Sequence, residues 1–249
     1  MHMASKIGWT TWFEKQPLTV DLIPLNYYGW SELTYFEPEK LETWKDSTNG
    51  FMKCPAFLNY NSQTWVLKSW IDVELSWDDK NGVLNSNLPY EQHQSMIRLH
   101  HADFTIGVDR PIVAINCSYL FVADKSTVVE FLPPYNHDIT SMRLMPGSFN
   151  ISGWQRPIMP TFEMLTDTLT IKRGQPLAYI RFRSEDLKDS FKLEKIDRTL
   201  ELEHLVRSCV SVKSYQKTLS WQIAQSGWNK LRPKSFFKKT CPFKWLFKK

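Results

Sequence analysis

Two histidines and an aspartate form a candidate metal-binding set. His101 and Asp103 are two residues apart, so on a β-strand both side chains lie on the same face. His137 would complete the two-histidine, one-carboxylate set that holds Fe(II) in non-haem oxygenases, which are also β-sandwiches. Arg143 is the candidate for binding the carboxylate of a 2-oxoacid. The pattern gives one hypothesis, an Fe(II)/2-oxoglutarate oxygenase, against an ordinary structural role for the same residues.

The cysteines offer neither a metal site nor a clear nucleophile. Cys54, Cys117, Cys209 and Cys241 form no CxxC pair, and no histidine lies at zinc-finger spacing from them. The sequence also lacks the G-x-S-x-G, Walker A and G-x-G-x-x-G motifs. We therefore predict free thiols in a reducing compartment, with Cys54, Cys117 and Cys209 packed in the interior. No cofactor is predicted except Fe(II) under the oxygenase hypothesis.

The C-terminal tail, residues 228–249, is the clearest candidate for contacting a partner. It holds eight Lys or Arg and no Asp or Glu, which exceeds the chain's net charge of +5 and leaves −3 on the first 227 residues. The tail also contains Phe and Trp residues. Basic and aromatic side chains together suit binding to an acidic groove of a protein partner, to a nucleic acid or to a membrane surface, or packing back onto the acidic body. The predicted partner-binding residues are Lys234, Phe236, Phe237, Lys238, Lys239, Phe243, Trp245, Lys248 and Lys249.

The elements that must position these residues are mostly strands. Between Leu18 and Ile196, short alternating apolar runs separated by turn residues are typical of β-structure. The strands predicted in the second half of this range are 104–107, 112–122, 128–132, 158–165, 169–172, 177–183 and 191–196, and Arg156–Pro157 is predicted to mark a strand boundary. Beyond Asp197 the period changes to that of a helix, with Leu202, Leu205 and Val206 on one face. We predict a mainly β protein: a β-sandwich or β-clip domain over residues 1–196, a C-terminal helical segment over 197–227 and the basic aromatic tail.

Aromatic content and apolar patterning restrict the class of protein further. With 11 Trp, 15 Phe and 9 Tyr, the chain is predicted to form a packed globule rather than a disordered or collagenous one. A net negative body argues against a protein that coats nucleic acid with its whole surface. No apolar run has the length of a signal peptide core or a membrane span, so secretion by a signal peptide and membrane insertion are not expected. Trp9 and Trp12 are expected to be exposed.

Four segments carry a resemblance to a known family. They are KCPAF at 53–57, WVLKSWIDVELSW at 65–77, PGSFNISGWQRP at 146–157 and IKRGQPLAYIRF at 171–182. In this order they resemble an uncharacterised protein family of T4-like marine phages, of the cyanophage type, over residues from about Trp12 to the tail. The resemblance implies a phage origin and a β-rich fold but no activity. The function that we predict is non-catalytic binding, by a protein in the virion or the host cytoplasm whose C-terminal tail contacts virion or host proteins.

A second, more distant similarity concerns the segment from Leu144 to Phe182. Arg173 and Gly174, with Ala178 and Ile180 after them, are similar to the last turn and strand of the β-clip in dUTPase-like proteins. Gln175 stands where that pattern has Asp, and the family's glycine-rich phosphate loop is not visible. The similarity implies a nucleotide-binding β-clip protein as an alternative function. Against it, the RGQP stretch from Arg173 is also an ordinary hairpin turn.

Overall fold

The computed structural model describes residues 4–12, 36–42, 50–100, 110–135, 137, 140–186 and 189–215. Within these ranges the chain is mainly β, as predicted. The strands, in chain order, are β1 (Ser5–Thr11), β2 (Glu39–Lys40), β3 (Thr64–Lys68), β4 (Val73–Asp78), β5 (Val83–Ser86), β6 (Ile97–His100), β7 (Ile112–Ile115), β8 (Tyr119–Ala123), β9 (Thr127–Leu132), β10 (Met142–Leu144), β11 (Gly147–Asn150), β12 (Thr161–Met164), β13 (Thr168–Ile171), β14 (Pro176–Ser184) and β15 (Phe191–Lys195). The helices are α1 (Pro55–Ser62), α2 (Tyr90–Met96) and α3 (Leu200–Tyr215), with a 3-10 turn at Gly50–Lys53 before α1.

The strands form four sheets with one shared interior. Sheet 1 has the order β15-β1-β8, sheet 2 β10-β12-β7-β6, sheet 3 β11-β9-β14-β3-β2 and sheet 4 β13-β4-β5. All pairs are antiparallel except β1 with β15. The inward-facing apolar side chains of all four sheets belong to one buried cluster. The sheets therefore enclose a common core, as alternating apolar strands require.

One predicted strand pairing and one predicted strand are wrong. The RGQP turn does not join a simple hairpin, because β13 pairs with β4 in sheet 4 while β14 pairs with β3 in sheet 3. Instead, the segment with β3 and β4 and the segment with β13 and β14 run antiparallel to each other, and both bend between sheet 3 and sheet 4. At the bend, Gly174 has φ +84°, which glycine adopts without strain, and its N–H donates to the Ser69 carbonyl at 2.7 Å. The predicted strand from Ile112 to Val122 likewise divides into β7 and β8.

The two ends of the described chain close the body. The predicted helix after Asp197 is confirmed as α3, and its Leu202 and Val206 pack with Trp12, Leu120 and Val122. The exposure predicted for Trp9 and Trp12 is wrong, since each is 5% exposed. The reason is β1, a strand that we did not predict and that lies between β15 and β8. The helices α1 and α2 were also not predicted, and the strand predicted at Phe104 to Gly107 lies outside the described residues.

A half-buried ion-pair network stabilises the centre of sheet 3. Glu130 on β9 accepts hydrogen bonds from Arg181 and Arg183 on β14, and Arg181 also stacks on the Tyr60 ring at 4.1 Å. Burial by itself raises the pKa of Glu130, but the two arginines outweigh burial and hold that pKa below its ordinary value of 4.5. The network therefore links β9 to β14 in a way that depends on an ionised carboxylate.

This network predicts a pH-dependent contribution to stability. Because the pKa of Glu130 is depressed on folding, its contribution is present above the unfolded-state pKa near 4.5 and is lost as the pH falls through the folded-state value. Glu130→Gln should lower the free energy of unfolding by about 1–3 kcal/mol at pH 7, with the difference from the wild type shrinking below about pH 4.5. Urea unfolding between pH 3 and pH 7 measures this. Glu74→Gln, at an exposed pair, is the control, and equal losses for both variants would contradict the prediction.

Candidate functional site

An open groove of about 490 Å³ lies between sheets 2 and 3. Its walls are mostly apolar, and it also contains the side chains of His100 and Arg156. We call it the Arg156 groove. The apolar side chains that line it include Ile112, Phe131, Met145, Phe149, Trp154 and Met159. Its volume is within the range of about 300–1,000 Å³ found for small-ligand sites.

The groove exists because two strands separate. β10 pairs with β12 as far as Leu144, and the Met145 N–H extends that ladder by donating to the Thr161 carbonyl at 2.8 Å. Pro146 has no N–H and cannot continue it. From Gly147 the chain pairs with β9 in sheet 3 as β11, whereas β12 remains in sheet 2. The space between the diverging segments is the Arg156 groove.

A compact turn after β11 orients the side chains at one end of the groove. The Asn150 side-chain oxygen accepts hydrogen bonds from the N–H groups of Ser152, at 2.8 Å, and Gly153, at 3.1 Å. The Asn150 carbonyl accepts the N–H of Trp154. Gln155 is fully buried and donates to the Ile151 and Ser152 carbonyls. With Gln155 turned inward, its two neighbours Trp154 and Arg156 both line the groove.

The Arg156 guanidinium is held by aromatic rings rather than by a carboxylate. It lies 4.8 Å from the centre of the Trp154 ring and 5.9 Å from that of Phe149, and the two rings meet edge to face. Trp154 in turn packs against Leu205 and Cys209 of α3. In the part of the chain that the structure describes, Arg156 makes no hydrogen bond or ion pair. Its five N–H donors are thus oriented beside an apolar groove without a described protein acceptor.

The electrostatic environment of Arg156 favours an incoming anion. Burial lowers the pKa of Arg156 most; the thiol of Cys209 on α3 raises it, and the positive charge of Arg98 on β6 lowers it. An arginine nevertheless keeps its proton at neutral pH, so burial leaves a poorly hydrated cation. Other half-buried arginines in the described ranges have acceptors, as Arg181 has in Glu130. The site can therefore bind a carboxylate or phosphate oxygen.

The iron hypothesis is only partly covered by the described residues. His101 and Asp103 lie outside them. His137 lies in a second cavity of about 310 Å³, with its ring 6.2 Å from that of Tyr179. Arg143 lines the same cavity, but its guanidinium is already paired with the buried carboxylate of Glu163. Among the described residues, no three His, Cys, Asp or Glu side chains are grouped to hold a metal ion.

The RGQP bend uses its polar groups internally. The N–H of Arg173 donates to Asp72, its Nε donates to the Trp70 carbonyl, and its guanidinium lies 4.7 Å from the Phe36 ring centre. The N–H of Lys172 donates to the side chain of Gln175. These donors are therefore not directed toward a ligand. The nucleotide-binding hypothesis gains no support from the geometry around Arg173.

The described thiols differ in exposure. Cys117 and Cys209 are buried, as predicted, whereas Cys54 is only half-buried because it lies directly before α1 rather than inside a strand. Burial raises the pKa of Cys117 to about 12. None of these three sulfurs is in a disulfide. Cys54 is therefore the accessible thiol of the three.

This difference predicts selective alkylation of the native protein. At pH 8, a thiol of pKa about 12 is a thiolate in only about one molecule in 10⁴, and burial also blocks the reagent. Iodoacetamide should label Cys54 well before Cys117 and Cys209, and all three should react after unfolding in urea. Peptide mass spectrometry at successive times measures the order. Simultaneous labelling of Cys54 and Cys117 in the folded protein would contradict the burial described here.

The tail and the family resemblance stay predictions. All nine predicted partner-binding residues, from Lys234 to Lys249, lie outside the described residues.

None of the helices within the described ranges is long and apolar enough to cross a membrane. No protein-family model matches the chain, and no curated protein is significantly similar to it. Fold and site together define a mainly β protein with an arginine-containing, aromatic groove.

Sequence reasoning missed the Arg156 groove although its residues stand in a highlighted segment. Six of them, from Pro146 to Arg156, belong to the PGSFNISGWQRP stretch that carries the phage resemblance. Arg156 was used there only as a strand boundary with Pro157. The available signal was the spacing of Trp154 and Arg156, two residues apart after a turn rich in small polar residues. That spacing places both side chains on one side of an extended chain.

Proposed function

We propose that the protein is a phage-encoded, non-catalytic binding protein, virion-associated or host-directed, whose Arg156 groove takes an anionic group of its partner. The observation that carries the proposal is the Arg156 guanidinium, held on aromatic rings without an acceptor in the described chain. Phage origin and the virion or host setting rest on the four-segment resemblance. The basic tail is the second proposed contact surface, through the residues from Lys234 to Lys249.

Binding is better supported than catalysis by the groups that are present. A catalytic site needs an acid, base or nucleophile within reach of the reacting atoms. Among the described residues that line the Arg156 groove, the polar side chains are those of Arg156, His100, Ser148 and Thr161; they include one acid–base group, His100, and no carboxylate. The arrangement of one cation among apolar and aromatic walls is instead typical of a recognition site.

Photo-crosslinking in infected cells tests the proposal. A benzophenone amino acid at Met145, which is 37% exposed on the rim of the groove, should form adducts with a partner through a segment containing Asp or Glu. The same group at Val83, 45% exposed on β5, is the matched control and should not form those adducts. Arg156→Gln should remove the Met145 adduct. Equal adducts at both positions, or turnover of a nucleotide or 2-oxoglutarate by the purified protein, would overturn the proposal.

A further inference from the structure

The outer edge of sheet 3 borders the Arg156 groove. In the strand order of this sheet, β11 is terminal and pairs with β9 alone among the described strands. Gly147, Ser148 and Phe149 of β11 all line the groove. An edge strand exposes backbone donors and acceptors that another extended segment can pair with. The groove therefore combines a sheet edge with a cation.

The hydrogen-bond pattern shows which residue of β11 faces outward. The N–H of Ile151 donates to the Thr127 carbonyl, in register with the ladder between β11 and β9. Because bonding directions alternate along an antiparallel strand, Gly147 and Phe149 direct their backbone groups to β9, and Ser148 directs its groups away from it. Ser148 is exposed, and no described backbone group pairs with its N–H or C=O.

We propose that the Arg156 groove binds an extended acidic peptide segment of a partner protein. One residue of the peptide pairs with Ser148 through two backbone hydrogen bonds, and an Asp or Glu side chain of the peptide pairs with Arg156. Apolar peptide side chains contact Phe149, Met145 and Met159. The mode is addition of a strand to a sheet edge, in which backbone bonds give affinity and side-chain contacts give specificity. This inference rests on the proposed function and specifies its ligand.

Charge favours an acidic peptide over the chain's own tail and over a nucleic acid as the ligand of the groove. The chain's own tail, residues 228–249, has eight basic and no acidic residues, so it would be repelled by Arg156 and the nearby Arg98. A nucleic acid requires several phosphate contacts, whereas the first 227 residues have a net charge of −3. An acidic peptide needs a single cation beside an apolar surface. A partner segment rich in Asp or Glu and apolar residues meets that requirement.

The neighbouring residues limit how the peptide can pair. Pro146 has no N–H group, and the Asn150 carbonyl already accepts the N–H of Trp154, so the ladder on β11 cannot extend far beyond Ser148. At Gly147 a Cβ atom would lie 3.7 Å from the Phe131 ring, which is an ordinary contact. The fold therefore accommodates a Cβ atom at Gly147, and we expect the rest of a larger side chain to extend into the groove, which both Gly147 and Phe131 line. Gly147→Leu is thus a way to block the groove without changing its charge.

Selection from a displayed library of random seven-residue peptides tests the inference. The full-length protein is the bait, and Arg156→Gln serves for counter-selection. The selected peptides should share an acidic residue at one position with apolar residues around it. By calorimetry, Arg156→Gln should weaken the best peptide about 10- to 100-fold, as expected for one charge-assisted hydrogen-bonded pair. Gly147→Leu should also weaken it at least about 10-fold, because it fills the space that the apolar side chains occupy.

The matched control is Lys172→Gln, which removes an exposed cation paired with Glu74 in sheet 4, a sheet with no residue among the described lining of the groove. It should leave the peptide affinity within about twofold, as expected for an exposed pair outside the groove. N-methylation of the peptide amide that faces Ser148 should weaken binding at least about fivefold, since it deletes one backbone hydrogen bond. If methylation at every position is tolerated, pairing with β11 is wrong, although an anion site at Arg156 stands.

A small anion distinguishes failure of this inference from failure of the proposed function. Sodium benzoate supplies a carboxylate on an apolar ring without a peptide backbone. If it binds the wild type but not Arg156→Gln while no acidic peptide is selected, the peptide inference is overturned and anion binding in the groove is retained. If neither benzoate nor any acidic peptide binds, both are overturned. Selection of basic peptides would also overturn both, because Arg156 would then repel the ligand.

Discussion

Replacing Phe182 with alanine should lower the free energy of unfolding by about 3–5 kcal/mol, the usual range for a buried aromatic side chain. Phe182 is 1% exposed on β14, the central strand of sheet 3. Its ring lies 5.3 Å from that of Trp65 and 5.4 Å from that of Phe121, so it joins sheet 3 to sheet 1. The cavity left by alanine would be enclosed by rigid strands that cannot collapse into it.

Equilibrium unfolding in urea, with fluorescence and circular dichroism recorded together, measures the loss. Phe57→Ala is the matched control because Phe57 lies half-buried on α1, where its ring contacts Tyr135 from the edge. We expect Phe57→Ala to lower the free energy of unfolding by about 1 kcal/mol, the middle of the range for ordinary substitutions. Equal losses for the two variants would show that sheets 1 and 3 do not share the core described here.

Replacing Arg156 with methionine should abolish anion binding while leaving the free energy of unfolding within about 1 kcal/mol of the wild type. In the described chain Arg156 has no carboxylate partner, so methionine leaves no described carboxylate unpaired and fits an already apolar site. The lost contact is the stacking on Trp154, worth about 0.5–2 kcal/mol, and relief of charge burial offsets it. This is the behaviour of a residue kept for binding rather than for folding.

Arg181→Met is the matched comparison, since Arg181 also stacks on an aromatic ring but does bind a carboxylate. Arg181→Met should lower the free energy of unfolding by about 1–3 kcal/mol, because Glu130 would lose the more buried of its two arginine partners. Thermal and urea unfolding of both variants, beside benzoate titration, provide the comparison. If Arg156→Met lowers the free energy of unfolding as much as Arg181→Met does, Arg156 has a structural partner, and a binding role is contradicted.

The sequence predicts strands better than it predicts their partners. Alternation assigns faces, so β9, β13, β14 and β15 were placed within about two residues of their observed ends. The same alternation contains no information on which strand lies alongside. For this reason the RGQP stretch was interpreted as a hairpin turn, although β13 and β14 lie in different sheets. Pairing is set by contacts distant in sequence, such as that of Ser69 with Gly174.

The candidate site was less predictable than the fold. Arg156 is adjacent to a proline, and in a sequence that pair indicates only a strand boundary. Its role depends on the separation of β11 from β12 and on the packing of Trp154 against α3, both of which are tertiary. Trp9 and Trp12 illustrate the same point, because a short N-terminal segment becomes buried only through pairing with β8 and β15.

The most direct test of the central claim observes the Arg156 guanidinium itself. In the ¹⁵N-labelled full-length protein, the Arg156 Nε–H resonance can be assigned by its absence in Arg156→Gln and then followed during benzoate titration. We predict a saturable shift of this resonance, with that of Arg183 changing little because Arg183 is exposed and paired with Glu130. If the Arg156 resonance does not shift, or if all arginine resonances shift alike without saturation, the groove is not an anion-binding site.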